Sequence, residues 1–416
     1  MILAALALLS LSGPARAGDD PGDGLDENTV SGTPAPIAPM PNPPVAAPTA
    51  DPADTPPDLP PALVPEDPNA AYPRLSVQAA EILHLDVAFA DRCRRAIEFI
   101  YARKYKEAKR SLDLLSVDYP TTGIGPAGLA VIYQALMFEN FDYRYEKQYE
   151  EASDLAFRQI AEGQKITGNE AIEWFLRAGM EGIAGIHKMR RGEYLAALAE
   201  GLAAVNSLAE AKAAAPDFVD PRLGDGMYMY WRTVISRQTA LLPDGPDERE
   251  AGKALMKQVE SEGVLLGPAA TLALTYSFIE EHDLKNALAR TMYGRLKYPD
   301  NVINNMTAGR VLTSMRHYDE AAGMYKAVLT AAPDNQRAHY FLGVVYSRQA
   351  KFPEAEAEFT TYTAFAEPPP AAQGAAWYRL GLLYVRQGRT AEARTAYEKA
   401  VSIGHNEAAR KALGTL

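Results

Sequence analysis

Sulfur chemistry is nearly absent from this sequence, in which Cys93 is the one cysteine. An intrachain disulfide and a cysteine metal site are thereby excluded, and the thiol fits a small apolar residue packed in a helix. The six histidines (His84, His187, His282, His317, His339, His405) are scattered. No pair stands at H-x-x-x-H spacing and none is joined to a nearby carboxylate set, so no metal site is expected. Neither G-x-S-x-G nor a Walker lysine occurs, which removes the usual footings of nucleophilic catalysis and nucleotide hydrolysis. No apolar run reaches the about 20 residues that span a bilayer, and no segment alternates as a convincing strand does.

Charge of one sign is also missing from most of the chain. The formal net charge is −11, but residues 18–74 alone carry ten acids against one base, Arg74. Residues 75–416 hold 43 acids and 40 bases. So balanced a body has no field that recommends nucleic acid or an anionic membrane as partner.

Proline is abundant, and unevenly placed. Sixteen of the 30 prolines lie in residues 18–74, in runs such as PAPIAPMPNPPVAAP. This composition cannot bury enough surface to offset chain entropy, so the segment reads as a disordered acidic Pro/Ala-rich linker. Before it, residues 1–17 contain an apolar run from Ile2 to Leu11 and end in Ala15-Arg16-Ala17. That resembles a secretory signal peptide with an A-x-A cleavage site, although no Lys or Arg precedes the run. The expected location is periplasmic or secreted, in a bacterium, with no transmembrane segment in the mature chain.

Beyond the linker, small and aromatic residues recur at helical spacing. In WYRLGLLYVRQGRTAEARTAYEKA, Trp377, Leu380, Gly381 and Tyr384 fall on one helix face, and Gly388 stands where that helix should end. Thr390 is placed to cap a second helix whose buried face carries Ala393, Tyr397 and Ala400. Upstream, Leu342, Gly343, Tyr346, Ala355 and Phe359 hold the same relative places, and Gly309 lies 34 residues before Gly343 with Tyr318, Ala321, Tyr325 and Pro333 following. Phe278, Ala287 and Pro299 continue the series backwards.

A period of 34 residues with these anchors resembles the tetratricopeptide repeat (TPR), a helix–turn–helix unit. The implied fold is all-α: an α-solenoid of stacked helical hairpins. Irregular TPR-like hairpins are expected over 75–267. Four regular repeats follow over 268–416, with a C-terminal capping helix in NEAARKALGTL. Earlier, Ser76 is placed to cap a short helix, Asp86 a longer one, and Tyr105, Ala108, Leu112, Leu115 and Pro120 mark a first repeat.

Two segments invite other readings. GIGPAG (123–128) matches the dinucleotide fingerprint, but a helix end and a turn precede it where a strand is needed, and Pro126 suits a helix start. In LGDGMYMYWRTV (223–234), Gly224 and Gly226 weaken a helix, so some contact must compensate. Tyr228, Tyr230 and Trp231 there either pack against neighbouring helices or form an aromatic pocket.

The resemblance further implies a concave groove lined by the first helix of each hairpin. Carried over to this sequence, it assigns Tyr276, Arg310, Arg337, Tyr340, Arg348, Tyr378 and Arg386 to partner binding. Arginines among tyrosines suit an acidic or C-terminal peptide, since guanidinium meets carboxylate in a bidentate fork. The expected function is a non-enzymatic exported scaffold or adaptor for protein or peptide partners in an envelope or secretion assembly. Catalytic residues, metal and cofactor are not expected, and homo-oligomerisation is left open. The alternative is a periplasmic ligand-binding accessory of a transport system, using the aromatic residues near 224–234.

Overall fold

The computed structural model describes residues 59–60, 70–166, 170–238 and 245–416. The signal-peptide reading and most of the linker reading fall outside the described residues. Among these residues lie eighteen α-helices and no strand.

A leading helix, α1 (Arg74–Leu83), precedes eight hairpins. Four are irregular: α2 (Val87–Tyr101) with α3 (Tyr105–Asp118), α4 (Ile124–Asn140) with α5 (Glu146–Ile166), α6 (Glu170–Arg190) with α7 (Tyr194–Ala214), and α8 (Arg222–Gln238) with α9 (Arg249–Glu262). Four follow the regular period: α10 (Gly267–Glu280) with α11 (Leu284–Lys297), α12 (Val302–Ser314) with α13 (Tyr318–Ala331), α14 (Gln336–Arg348) with α15 (Phe352–Ala364), and α16 (Pro370–Arg386) with α17 (Thr390–Gly404). A short α18 (Glu407–Leu413) covers the last hairpin. Each helix packs chiefly on its chain neighbours, as stacked repeats require. The step from α7 to α8 is the exception, for these two helices barely meet.

Small residues set the spacing inside the regular hairpins. A β-carbon at Gly309 would stand 2.6 Å from the Tyr325 ring, one at Gly343 3.0 Å from Phe359, and one at Gly381 2.3 Å from Tyr397. Each glycine therefore lets its helix settle on the aromatic ring of its partner helix. Gly226 and Gly252 act alike between α8 and α9: a β-carbon on Gly226 would lie 2.6 Å from the Gly252 carbonyl oxygen. This close approach is the contact that offsets the low helix propensity of the 223–234 segment.

Two kinds of turn alternate along the solenoid. Within hairpins one residue adopts the left-handed conformation: Arg103, His282, Arg316, Ala350 and Gly388 all have φ between 56° and 71°. At two of the three junctions between regular hairpins an asparagine caps the next helix, with Asn301 accepting from Asn304 N and Asn335 from Ala338 N, both at 2.8 Å, whereas Pro369 precedes α16. Asp86 caps α2 as the sequence indicates, accepting from Phe89 N at 3.0 Å. Ser76 and Thr390 do not cap. Helix α1 starts earlier, at Arg74, so Ser76 lies inside it and donates to Asp91 Oδ1 at 2.9 Å. Thr390 is the first residue of α17, behind Arg389. The GIGPAG segment forms a turn at Gly123 (φ 71°) and the first turn of α4, with Pro126 as its third residue.

Candidate functional site

The superhelix closes on itself. The turn between α2 and α3 and the end of α4 lie against the turns that join the regular repeats. Tyr298 donates its hydroxyl to Glu98 Oε2 at 2.6 Å, and its ring stacks on Tyr101 with centroids 5.5 Å apart. Lys297 reaches Glu98 at 2.9 Å. Arg103 forks onto buried Glu139 at 3.0 and 3.1 Å, and its remaining nitrogen donates to the Ala331 carbonyl at 2.5 Å. The two capping asparagines join this seam with their amide nitrogens: Asn301 donates to Tyr101 O and Asn335 to Glu139 O, each at 2.9 Å. One asparagine thus both starts a helix and fastens the two halves of the chain.

Beside the seam sits Arg337. Its guanidinium lies 5.0 Å from the Phe141 ring and 5.8 Å from that of Phe341. Burial, and after it the positive charge of nearby Arg310, push its pKa down to about 10. Tyr276, Tyr325 and Tyr362 surround it. Arg337 forms no ion pair with a carboxylate among the described residues. A half-buried cation beside a second cation is unfavourable unless an anion completes the site.

The structure brings together some of the seven groove residues assigned from the sequence. Tyr276, Arg310 and Arg337 are electrostatic neighbours. Tyr276 is buried rather than presented, with its hydroxyl 3.1 Å from that of Thr307. Tyr340 adjoins the group through Tyr362, 5.3 Å away, and accepts from Arg379 Nε at 2.8 Å. Tyr378 packs toward Tyr397 inside the last hairpin. Arg348 and Arg386 end α14 and α16, Arg386 exposed. Phe141 is a residue that sequence reasoning missed, because it reaches Arg337 only through the closure.

The aromatic run on α8 divides. Tyr230 and Trp231 are fully buried, and Tyr230 donates to Ser277 O at 2.8 Å and meets Glu280 at 2.9 Å. An aromatic pocket here rests on Tyr228 alone, which is half-buried and lines an interior cavity of about 1990 Å³.

A carboxylate set does meet one histidine, which chain spacing did not reveal. Glu146 and Glu150 of α5 and His187 of α6 bring their ligand atoms within 4.8 Å of one another. Arg191 is ion-paired with Glu146, and burial together with Arg190 and Arg191 lowers the His187 pKa. Two arginines beside the cluster supply the positive charge that a cation would otherwise bring.

Comparison with known families finds the repeat in the C-terminal, regular hairpins. Tetratricopeptide repeat family models match residues 312–375 and 374–406. No curated protein matches the chain. Among solved structures, the human IFIT1 dimer with PPP-AAAA is similar at 12% identity and a TM-score of 0.41, over 78% of this chain and 82% of that one.

Proposed function

We propose, from its place among the tetratricopeptide-repeat proteins, that this chain is an exported scaffold that grips an acidic protein segment through Arg310 and Arg337. Tetratricopeptide repeats are a protein-interaction fold, generally without catalytic activity of their own. The observation that carries the finer reading is the half-buried Arg337 beside Arg310 among tyrosines, with no carboxylate on Arg337. A peptide carboxylate would meet the Arg337 guanidinium there, within the positive field of Arg310, and Tyr340, held by Arg379, would flank the peptide. Arg348, Tyr378 and Arg386 would extend the contact along α14 and α16.

Export is supported by the apolar run Ile2–Leu11 followed by Ala15-Arg16-Ala17. On this reading the scaffold works in a bacterial envelope or secretion assembly. Mass spectrometry of the chain recovered from a periplasmic extract should find it starting at Gly18. An intact N-terminus in the cytoplasm overturns this part of the reading.

The binding claim is tested by fluorescence polarisation with a labelled Asp/Glu-rich peptide and its Asn/Gln counterpart. Wild-type protein should bind the acidic peptide alone. Arg337→Met should weaken binding at least about tenfold, the cost of one charge-assisted contact of about 1.5–3 kcal/mol. Equal binding of both peptides, or an unchanged affinity in Arg337→Met, contradicts the proposal.

A further inference from the structure

The interior of the closed superhelix holds the cavity of about 1990 Å³, roughly twice the upper size of ordinary small-molecule pockets of about 1,000 Å³. Its wall comes from both halves of the chain, with Ile97, Phe138, Phe175, Ile183, Leu202 and Tyr228 among the lining side chains. Helix α7 contributes most visibly. Leu195, Leu198 and Leu202 recur at i, i+3 and i+7 and line the cavity, yet they are 85%, 48% and 51% exposed. They are uncovered because α7 and α8 barely meet. Apolar surface of this extent is left to water only where something else is to cover it.

A second observation says what that something carries. Gln134 of α4 also lines the cavity; it is 5% exposed, and neither its Oε1 nor its Nε2 has a hydrogen-bond partner. Arg94 of α2 lines it too, its buried Nε unpartnered and its guanidinium 3.7 Å from Glu98. Buried amides and guanidiniums are almost always satisfied, so these donors call for an oxygen-bearing occupant. The rest of the wall asks for hydrocarbon. A peptide helix would offer no free backbone groups to Gln134, since its own ladder uses them. A flexible alkyl chain with one oxygen-rich end meets both demands.

We infer that the interior cavity binds a long-chain fatty acyl group, its hydrocarbon against α6 and α7 and its carboxyl or ester oxygens on Gln134 and Arg94. The free acid and the acyl ester share this chemistry. The site is separate from the Arg310–Arg337 cluster, whose residues do not line the cavity.

The test uses the full chain and cis-parinaric acid, a fatty acid that fluoresces in apolar surroundings. Fluorescence should rise on mixing and fall on adding oleate or methyl oleate, but not acetate. Displacement by oleate alone assigns the free acid; displacement by both extends the site to esters. L198E/L202E, at positions already exposed, should lose at least about tenfold in probe affinity, with circular dichroism confirming the helical fold. Should that variant unfold, Leu195→Glu alone provides the same reading. Gln134→Leu should weaken oleate several-fold. Arg337→Met should bind the probe as wild type does, which separates this result from peptide binding. No fluorescence gain, an undiminished gain in L198E/L202E, or displacement by a Leu/Ala-rich helical peptide in place of oleate overturns the proposal.

Discussion

Gly381 lies so close to Tyr397 that a β-carbon on the glycine would stand 2.3 Å from the ring's Cε1. The contact joins α16 to α17 and recurs as Gly309 on Tyr325 and Gly343 on Phe359. Alanine is ordinarily the better helix former by about 1 kcal/mol. Here the ring is packed and cannot yield, so overpacking of about 1–3 kcal/mol opposes that gain. Gly381→Ala should therefore lower stability by up to about 2 kcal/mol in thermal melts. Gly323, exposed on α13 with nothing within 4 Å of its would-be β-carbon, makes the control. Gly323→Ala should raise stability by about 0.5–1 kcal/mol. Two glycines moving the same way would refute the packing role.

Asn335 combines a cap with a fastening. Aspartate keeps the oxygen that accepts from Ala338 N but lacks the nitrogen that donates to Glu139 O. It also places a carboxylate against that carbonyl. Asn335→Asp should cost about 1–3 kcal/mol, and amide exchange near residues 139–141 should quicken. Asn406→Asp, which caps α18 through Ala409 N, should leave that exchange as it was. Indistinguishable exchange in both variants would mean that the seam does not depend on this bond.

His187 makes stability depend on pH. Its folded-state pKa is lowered, first by burial and then by Arg190 and Arg191, with Glu146 opposing. Glu150, Tyr143 and Tyr149 complete its surroundings. Below the ordinary histidine value of about 6.5 the unfolded chain takes up a proton that the folded chain resists, so stability falls as pH falls. His187→Gln should lose less stability than wild type between about pH 7 and pH 5. An equal loss in chemical denaturation at the two pH values would exclude the effect.

Cys93 is buried in α2, which pushes its thiol up to about 12. A thiol reagent used at mildly alkaline pH should find almost no thiolate in the native chain and react fully once urea unfolds it. Rapid labelling of native protein would show that α2 opens locally.

Local chemistry made the repeats legible. Small residues three positions from an aromatic, a polar break and a proline describe one hairpin, and nothing distant is needed to recognise it. Helix starts were harder to place, because Ser76 and Thr390 look like caps while α1 begins two residues earlier and α17 at Thr390 itself. The closure was illegible for a stronger reason. Tyr101 meets Tyr298, and Phe141 meets Arg337, only after the intervening hairpins have accumulated their rotation. The same holds for Glu146 and His187, which sit in successive hairpins, and for the cavity. Leu195, Leu198 and Leu202 stand bare beside the gap between α7 and α8, which no local pattern announces.

An open coil of repeats gains or loses a unit at little cost, because each unit leans only on the next. The bonds from Asn301 to Tyr101 and from Asn335 to Glu139 remove that freedom. Deleting or duplicating one hairpin between them would carry the two clasps out of register. Length, in this molecule, has become a fixed property of the ring rather than an adjustable one.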